Sequence, residues 1–310
     1  MLICINCGEI KMTGATKLNN AEQDLSDLLA EVACGYFDHS PSGSQYALWA
    51  ERAANCVESL FRAGGENVHP VQTGPIGPVL FPYYSMGSIS SLELFGLDEL
   101  ILFCFYWENR ARYSRAVDIG ANLGLHSLIM ARCGMSVESY EPDPVHAEIF
   151  QSNMKLNSTE NAVVLHEAAV SSEAGEQEFV RVLGNTTGSH LKGAKADPYG
   201  ELEYFKVNVQ SISDVLAGAN LMKLDAEGEE GRILLATDPD DWCGLDAVVE
   251  VGNPENAEAI FDHFSEMPVN LFAQQTGWDR VLGPGQMPQS YHEGSLFISK
   301  LEFMPWGGKL

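Results

Sequence analysis

The stretch Val117-Asp118-Ile119-Gly120-Ala121-Asn122-Leu123-Gly124 decides how the rest of the chain is read. A short apolar run passes through two glycines and opens into Leu125-His126-Ser127-Leu128-Ile129-Met130-Ala131. Those features spell a buried strand, a tight turn and the start of a helix. Glycines at such a turn let backbone N–H groups and the helix N-terminus approach a ligand closely. The spacing departs from the dinucleotide-binding G-x-G-x-x-G: only Gly120 and Gly124 are present, and Asp118 stands just before the first. Glu141 then ends a second strand-like run, where an acid at a strand's carboxyl end lies on the ligand side of an open sheet.

Downstream of the turn, strand-like and helix-like segments alternate, the mark of a parallel sheet with crossover helices. Strands are expected near 115–119, 136–141, 162–166, 220–225 and 245–251, with helices near 124–133, 143–157, 228–236 and 255–265. The gap between the third and fourth strands is too long for one crossover. It holds two more strand-like pieces, at 178–182 and 204–209, around a glycine-containing loop at 184–200, then a short helix at 211–217. Segments 269–275 and 295–299 read as final strands joined by a Pro/Gly-rich loop. Upstream, Asn20 and Gln23 resemble a capping box before Leu25, Leu28, Leu29, Val32 and Tyr36 at helical spacing. His39-Ser40-Pro41-Ser42-Gly43 breaks that helix, and Tyr46, Trp49, Ala53, Val57, Leu60 and Phe61 stripe a second one. Residues 68–90 read as a hairpin or irregular flap, and 97–112 as a helix feeding the central strand. The expected division is an N-terminal helical extension over 1–95, acting as lid, substrate selector or dimerisation face, and an α/β domain over 96–310.

With 310 residues the chain is long enough to bury a substantial core. Its 43 acidic and 18 basic residues give a formal charge of −25, which repels a phosphate backbone and argues against a nucleic-acid substrate. The longest apolar run, Leu100 to Trp107, is far too short to span a membrane. The N-terminus lacks the basic region of a signal peptide, so a soluble, cytoplasmic protein is expected. Cys4-x-x-Cys7 is half of a zinc-knuckle spacing with no second pair at a suitable distance.

A further cluster, Lys223-Leu224-Asp225-Ala226-Glu227-Gly228-Glu229-Glu230, sets four carboxylates at the mouth of the fourth strand. Asp225 or Glu227 would accept a proton, and Lys223 would steady them. Glu250, ending the neighbouring strand, would face Asp225. No metal is expected; were the site Mg²⁺-dependent, Asp225 and Glu250 would hold the ion. Among the histidines, His190 in the loop Gly184–His190 is the preferred candidate base, ahead of His126 and His292. Asp143 reads as the cap of the following helix.

These blocks, with Gln210-Ser211-Ile212-Ser213-Asp214-Val215-Leu216 and Val248-Val249-Glu250, resemble the FkbM family of S-adenosylmethionine-dependent methyltransferases over about residues 97–300. Asp225, Glu227, Gly228 and Glu230 match that family's D-x-E-G-x-E, while Glu229 stands where a small residue is usual. The resemblance implies a Rossmann-like class I methyltransferase sheet, mostly parallel, of seven strands with a final antiparallel strand. It implies O-methylation of a hydroxyl on a sugar, glycan or natural-product small molecule. S-adenosylmethionine would lie over Gly120, Asn122 and Gly124, with Glu141 on the ribose hydroxyls, Asp118 on the amino-acid portion or the turn, and Asp225 near the methyl group. A homodimer through the N-terminal helices is the expected assembly. Rival readings are a methyltransferase acting on nitrogen or on protein, a non-catalytic S-adenosylmethionine-binding protein and, more distantly, a nicotinamide-dependent oxidoreductase.

Overall fold

The structure is a computed structural model that describes residues 20–64, 70–195 and 200–306. In chain order its elements begin with α1 (Asn20–Cys34), α2 (Ser44–Gly64), the hairpin strands β1 (Pro70–Gln72) and β2 (Pro78–Leu80), and α3 (Leu97–Glu108). Next come β3 (Arg115–Ile119), α4 (Leu125–Arg132), β4 (Ser136–Tyr140), α5 (Pro144–Leu156), β5 (Val163–His166) and β6 (Ala169–Ser171). There follow β7 (Gly175–Val182), β8 (His190–Leu191), β9 (Leu202–Ser211), α6 (Ile212–Val215), β10 (Leu221–Leu224) and α7 (Glu230–Leu234). The chain ends with β11 (Asp246–Glu250), α8 (Pro254–Ser265), β12 (Asn270–Ala273), β13 (Asp279–Arg280) and β14 (Ser295–Ser299).

The main sheet runs β13-β12-β14-β11-β10-β3-β4-β5. Its β11-β10-β3-β4-β5 portion is parallel, and β14 is antiparallel to both β11 and β12. The last strand is therefore antiparallel, as expected, but the count differs. Eight strands rather than seven are present among the described residues, because the two-residue β13 extends the edge beyond β12. Two residues carry no alternation, so no pattern announces such a strand. The long gap after β5 builds a separate four-stranded sheet, β6-β9-β7-β8.

Two apolar layers cover the main sheet. On one face lie Val117, Ile119, Met222, Leu224, Ala247 and Val249, against α7 and α8 through Ile233, Leu234, Ile260 and Phe264. The other face takes Ala116, Leu221, Val248 and Phe297, and packs with α1 to α4. Both N-terminal stripes turn inward: Leu25, Leu28 and Val32 of α1 and Trp49, Ala53 and Val57 of α2 join this same core. Within α1, Gln23 donates to Asp27 at 2.8 Å. The apolar run of α3 is buried all round from Leu100 to Tyr106, sandwiched by its neighbours. The helix ends at Glu108, short of the expected Arg112, because Asn109 turns its amide onto the Phe105 and Pro305 carbonyls. Among the described residues no helix is long and apolar enough to cross a membrane. Cys4 and Cys7 lie outside the described residues, as do positions 196–199 of the loop expected at 184–200.

Alternation along the strands has a chemical consequence. Val117 and Ile119 face α7 and α8, so Asp118 points to the α3 side; by the same rule so do Lys223, Glu250 and Ser295. Lys223 is the register partner of Asp118, and Glu250 that of Ser295. A line of polar side chains thus crosses the sheet beneath α3.

The turn after β3 is fixed by close backbone approach. Gly120 has φ +75°, and a Cβ there would lie 1.7 Å from the Asp225 carbonyl oxygen. Gly120→Ala should therefore cost about 2–4 kcal/mol in urea denaturation. Gly134→Ala, with φ +92° and open space around it, should cost about 1 kcal/mol. Equal losses would show that backbone conformation alone, and not the Asp225 contact, sets the requirement at Gly120.

Candidate functional site

Asp118, Gly120, Asn122, Gly124 and Glu141 meet at the carboxyl ends of β3 and β4. Gly120 and Ala121 both donate their N–H to the Tyr140 carbonyl at 3.0 Å, which folds the turn against β4. Gly124, with φ +85°, starts α4; a Cβ on it would lie 2.6 Å from Phe150, so α5 presses directly on the turn. Asn122 is also left-handed, at φ +52°. Glu141 stays at the turn: its Oε2 accepts from the Asn122 N–H and its Oε1 from the Asp143 N–H, both at 2.8 Å. Burial, then the Asp143 charge, push its carboxyl from 4.5 to about 8 despite those two bonds.

Asp118 is fully buried, and its Oδ2 accepts from Ser127 Oγ at 2.5 Å. Its Oδ1 is buried with no hydrogen-bond partner, and so is Asn122 Oδ1. Two buried acceptors with unused capacity, beside a carboxylate, favour a ligand that brings donors or positive charge. They disfavour the pyrophosphate of a dinucleotide. Asp143 caps α5 as expected, with Oδ1 accepting from the Val145 N–H at 2.8 Å. It also pairs through both oxygens with Arg181 at 2.6 Å, a tie from β7 that the sequence did not announce.

Across β10 lies the acidic block. Lys223 Nζ donates to Asp225 Oδ2 at 3.1 Å. Burial works against the Lys223 ammonium, yet Asp225, Asp118 and Glu99 outweigh it and hold it above the ordinary lysine value. Glu227 sits at φ +53° and is paired with Lys195. Burial, then Asp225, push the Glu227 carboxyl up to about 7. Glu230 serves the loop, accepting from Ala226 N–H at 2.8 Å, Gly228 N–H at 3.0 Å and the Asn256 amide at 3.1 Å. Glu229 is buried against Ser171 Oγ at 2.8 Å and Arg232 at 3.2 Å, which accounts for an acid where a small residue was expected. Glu250 is driven well above the carboxylate range by burial and by Asp225, Glu99 and Glu227.

His190 lies buried in β8, its Nδ1 sharing a hydrogen bond with the Gly188 carbonyl at 2.9 Å. The loop does reach the acidic block, but through Lys195 and through Ala194, whose oxygen would meet a Cβ on Gly228 at 2.8 Å. His126 is buried against Tyr106 and Glu99, and the His292 ring lies tilted against Tyr291 at 4.1 Å between centroids. Among the described residues no group of three or more His, Cys, Asp or Glu is arranged to hold a metal ion. At Asp225 the Lys223 ammonium already supplies the positive charge.

A cavity opens beside Lys223 and Leu224, lined also by Asp98, Glu99, Leu102, Val248, Glu250, Tyr291 and Ser295. It lies on the opposite side of β3 from Glu141 and its strand β4. The sheet thus carries two adjoining halves, one at the glycine turn and one under the start of α3.

Residues 118–275, just over half of the chain, match the family described as the methyltransferase FkbM domain. The chain belongs to that family. "Methyltransferase 1" of Beauveria bassiana (strain ARSEF 2860) is 28% identical over 155 residues, covering 43% of this chain and 62% of its own length. "31-O-demethyl-FK506 methyltransferase FkbM" of Streptomyces tacrolimicus is 26% identical over 164 residues, covering 43% and 62%. The chain therefore spans less than two thirds of the length of these relatives. Among solved structures, the methyltransferase FkbM from Methylobacillus flagellatus KT aligns at 14% identity and TM-score 0.36, covering 67% of this chain and 54% of that one. Placed on the family match, Asp118 opens it and Glu141 and Asp225 fall inside it, whereas Asp98, Glu99, Tyr291 and Ser295 lie outside.

The Glu141 environment has a measurable consequence. Its folded value lies above the ordinary carboxylate value, so the stability it contributes is complete below about 4.5 and is lost as pH rises through about 8. In urea denaturation of ligand-free protein between about pH 5 and pH 8, Glu141→Gln should lose on the order of 2 kcal/mol less than wild type. Parallel pH profiles for the two proteins would show that Glu141 keeps its charge in the fold.

Proposed function

We propose that the protein is an S-adenosylmethionine-dependent O-methyltransferase acting on a hydroxyl of a sugar, glycan or natural-product small molecule. The observation that carries this reading is the Glu141–Asn122 turn, with unpartnered acceptors at Asp118 and Asn122, in a chain of the FkbM family. In its ionised form, which a bound diol would favour, Glu141 has spare acceptor capacity on both oxygens for two vicinal hydroxyls. Asp118 Oδ1 and Asn122 Oδ1 suit an α-ammonium group. S-adenosylmethionine, when bound, supplies a methyl group made electrophilic by its sulfonium. The residues of this chain then have three tasks: to hold the acceptor in line, to remove its proton and to keep the charge there in balance.

Asp225, one step beyond the paired end of β10, takes the hydrogen bond of the acceptor hydroxyl. Lys223 fixes that carboxylate from the buried side. Glu227, poised near neutrality, receives the proton, and its Lys195 partner holds it as the carboxylate until then. The relative's printed name, which describes methylation of an oxygen on FK506, supports a hydroxyl of a natural product as the acceptor.

Calorimetry with S-adenosylmethionine and a labelled-methyl screen of hydroxylated acceptors test this directly. Wild type should bind the methyl donor and ignore nicotinamide nucleotides, and Glu141→Ala should weaken binding about 10–100-fold. Asp225→Asn should lower kcat about 100-fold with donor affinity little changed. Because Glu227 must be deprotonated to act, kcat/KM should rise with pH through about 7, and Glu227→Gln should remove that limb. Tight binding of a nicotinamide nucleotide, or donor binding indifferent to Glu141→Ala, would sink the reading.

A further inference from the structure

A buried imidazole stands behind Glu141. His146, in the first turn of α5, has its Nδ1 4.0 Å from Glu141 Oε1, and both residues are only 5% exposed. The other ring nitrogen, Nε2, lies 3.0 Å from Thr186 Oγ1 in the loop between β7 and β8. That loop is itself pinned by the segment after β2. Thr186 donates its N–H to the Met86 carbonyl at 2.9 Å, and Ser88 donates its own to the Gly184 carbonyl at 2.8 Å. Met86 and Ser88 precede residue 118, where the family match begins. One edge of the ring is therefore held by parts of the chain remote in sequence, while the other faces the carboxyl group at the end of β4.

The charged groups around this pair are already committed. Burial works against the Asp143 carboxylate, yet Arg181 of β7, paired with both its oxygens, outweighs that and holds it below the ordinary aspartate value. Arg181 also pairs with Glu203 of β9 and lies over the Phe205 ring. Lys223 of β10, which acts on Glu141 from across β3, is bonded to Asp225. Asp143 thus stays an anion, and Arg181 and Lys223 stay cations. Among these groups His146 is the one able to gain a proton near neutrality. Burial, with Arg181 adding to it, holds the imidazole below its ordinary value against the pull of Asp143. The ring is accordingly neutral while Glu141 carries its proton.

We propose that His146 is a positioning residue for the methyl donor, taking up at Nδ1 the proton that Glu141 releases when a ribose diol docks on it. The Glu141 O–H is lost and a His146 Nδ1–H is gained, so two neutral groups become an ion pair with no change in net charge. With its other proton on Nε2, donated to Thr186 Oγ1, the ring keeps the Nδ1 lone pair turned to Glu141 until that exchange. The pocket can then ionise a buried carboxylate without leaving it uncompensated. This rests on the methyl-donor reading above and adds to it the group that balances the charge of the ribose-binding acid.

Calorimetry of S-adenosylhomocysteine binding at about pH 7, in phosphate and in Tris, counts the protons exchanged, because the two buffers differ in ionisation enthalpy. Wild type should release fewer than about 0.3 protons. His146→Gln, which still offers Thr186 a hydrogen-bond partner but cannot be protonated, should release about 0.7–1. Binding that releases a proton tightens as pH rises. From about pH 6 to about pH 7, affinity should therefore rise about five- to tenfold for His146→Gln and less than about threefold for wild type. In proton–nitrogen NMR spectra of wild type, the assigned His146 ring should pass from a neutral to an imidazolium pattern on saturation. A ring that stays neutral in the saturated protein, or equal proton counts in wild type and His146→Gln, overturns the assignment. Failure of wild type to bind S-adenosylhomocysteine at all would instead remove the methyl-donor reading on which it stands.

Discussion

The fold's functional face depends on one buried cation. Lys223 lies in the middle of the sheet with Asp118 as its register partner and Asp225 at 3.1 Å, and it feels Glu99 from the helix above. Burying an ammonium is costly, and burying several carboxylates close together is more so. Each side of that set is tolerable only because the other is present. Removing the cation would leave Asp118, already lacking a hydrogen-bond partner for one oxygen, without its buried countercharge. The two halves of the site therefore share a single electrostatic account, with the glycine turn on one flank of Lys223 and the cavity under α3 on the other.

A second constraint joins those halves mechanically. The turn after β3 touches the backbone at the end of β10, so closely that no side chain fits at Gly120. On the far side of the turn Glu141 is tied to the Asn122 N–H, and α5 presses on Gly124. A displacement of the turn would shift Asp225 and Glu141 together. Methyl transfer needs donor and acceptor aligned within tenths of an ångström, and a shared rigid turn is a direct way to keep both sides in one frame.

Much of this was legible because it is local. The run Val117–Gly124 announces strand, turn and helix in consecutive residues, and Asp143-Pro144 announces a helix start that Asp143 then caps. Strand positions followed from apolar alternation, and both N-terminal stripes found the core that their spacing implied. What stayed hidden needs knowledge of which element lies above which. Glu99 reads as an ordinary acid in the first turn of a helix, and Tyr106 and His126 as parts of two unrelated helices. Their hydrogen-bonded chain exists only because α3 packs on α4 over the sheet. Tyr291 comes from a Pro/Gly-rich loop whose sequence gives no direction of return. His190 lies in β8 on the Gly188 carbonyl, while Lys195, later in the same loop, pairs with Glu227 of the acidic block, a contact no local pattern announces.

The family match and the cavity divide the molecule in an instructive way. The matched segment holds the glycine turn, Glu141 and the acidic block, that is, the parts that would handle a methyl donor and a proton. The walls of the cavity under α3 are supplied in part by α3 and by the loop entering β14, on either side of it. These flanks are bound into the same core, through Leu100, Ile101 and Phe105 on one side and Phe297 and Trp306 on the other. Packing of that kind holds the cavity wall in place beside Lys223. The acidic block and the cavity wall are thus separated along the chain and reunited by burial, with the sheet's side-chain alternation bringing Asp118, Lys223 and Glu250 to the same face.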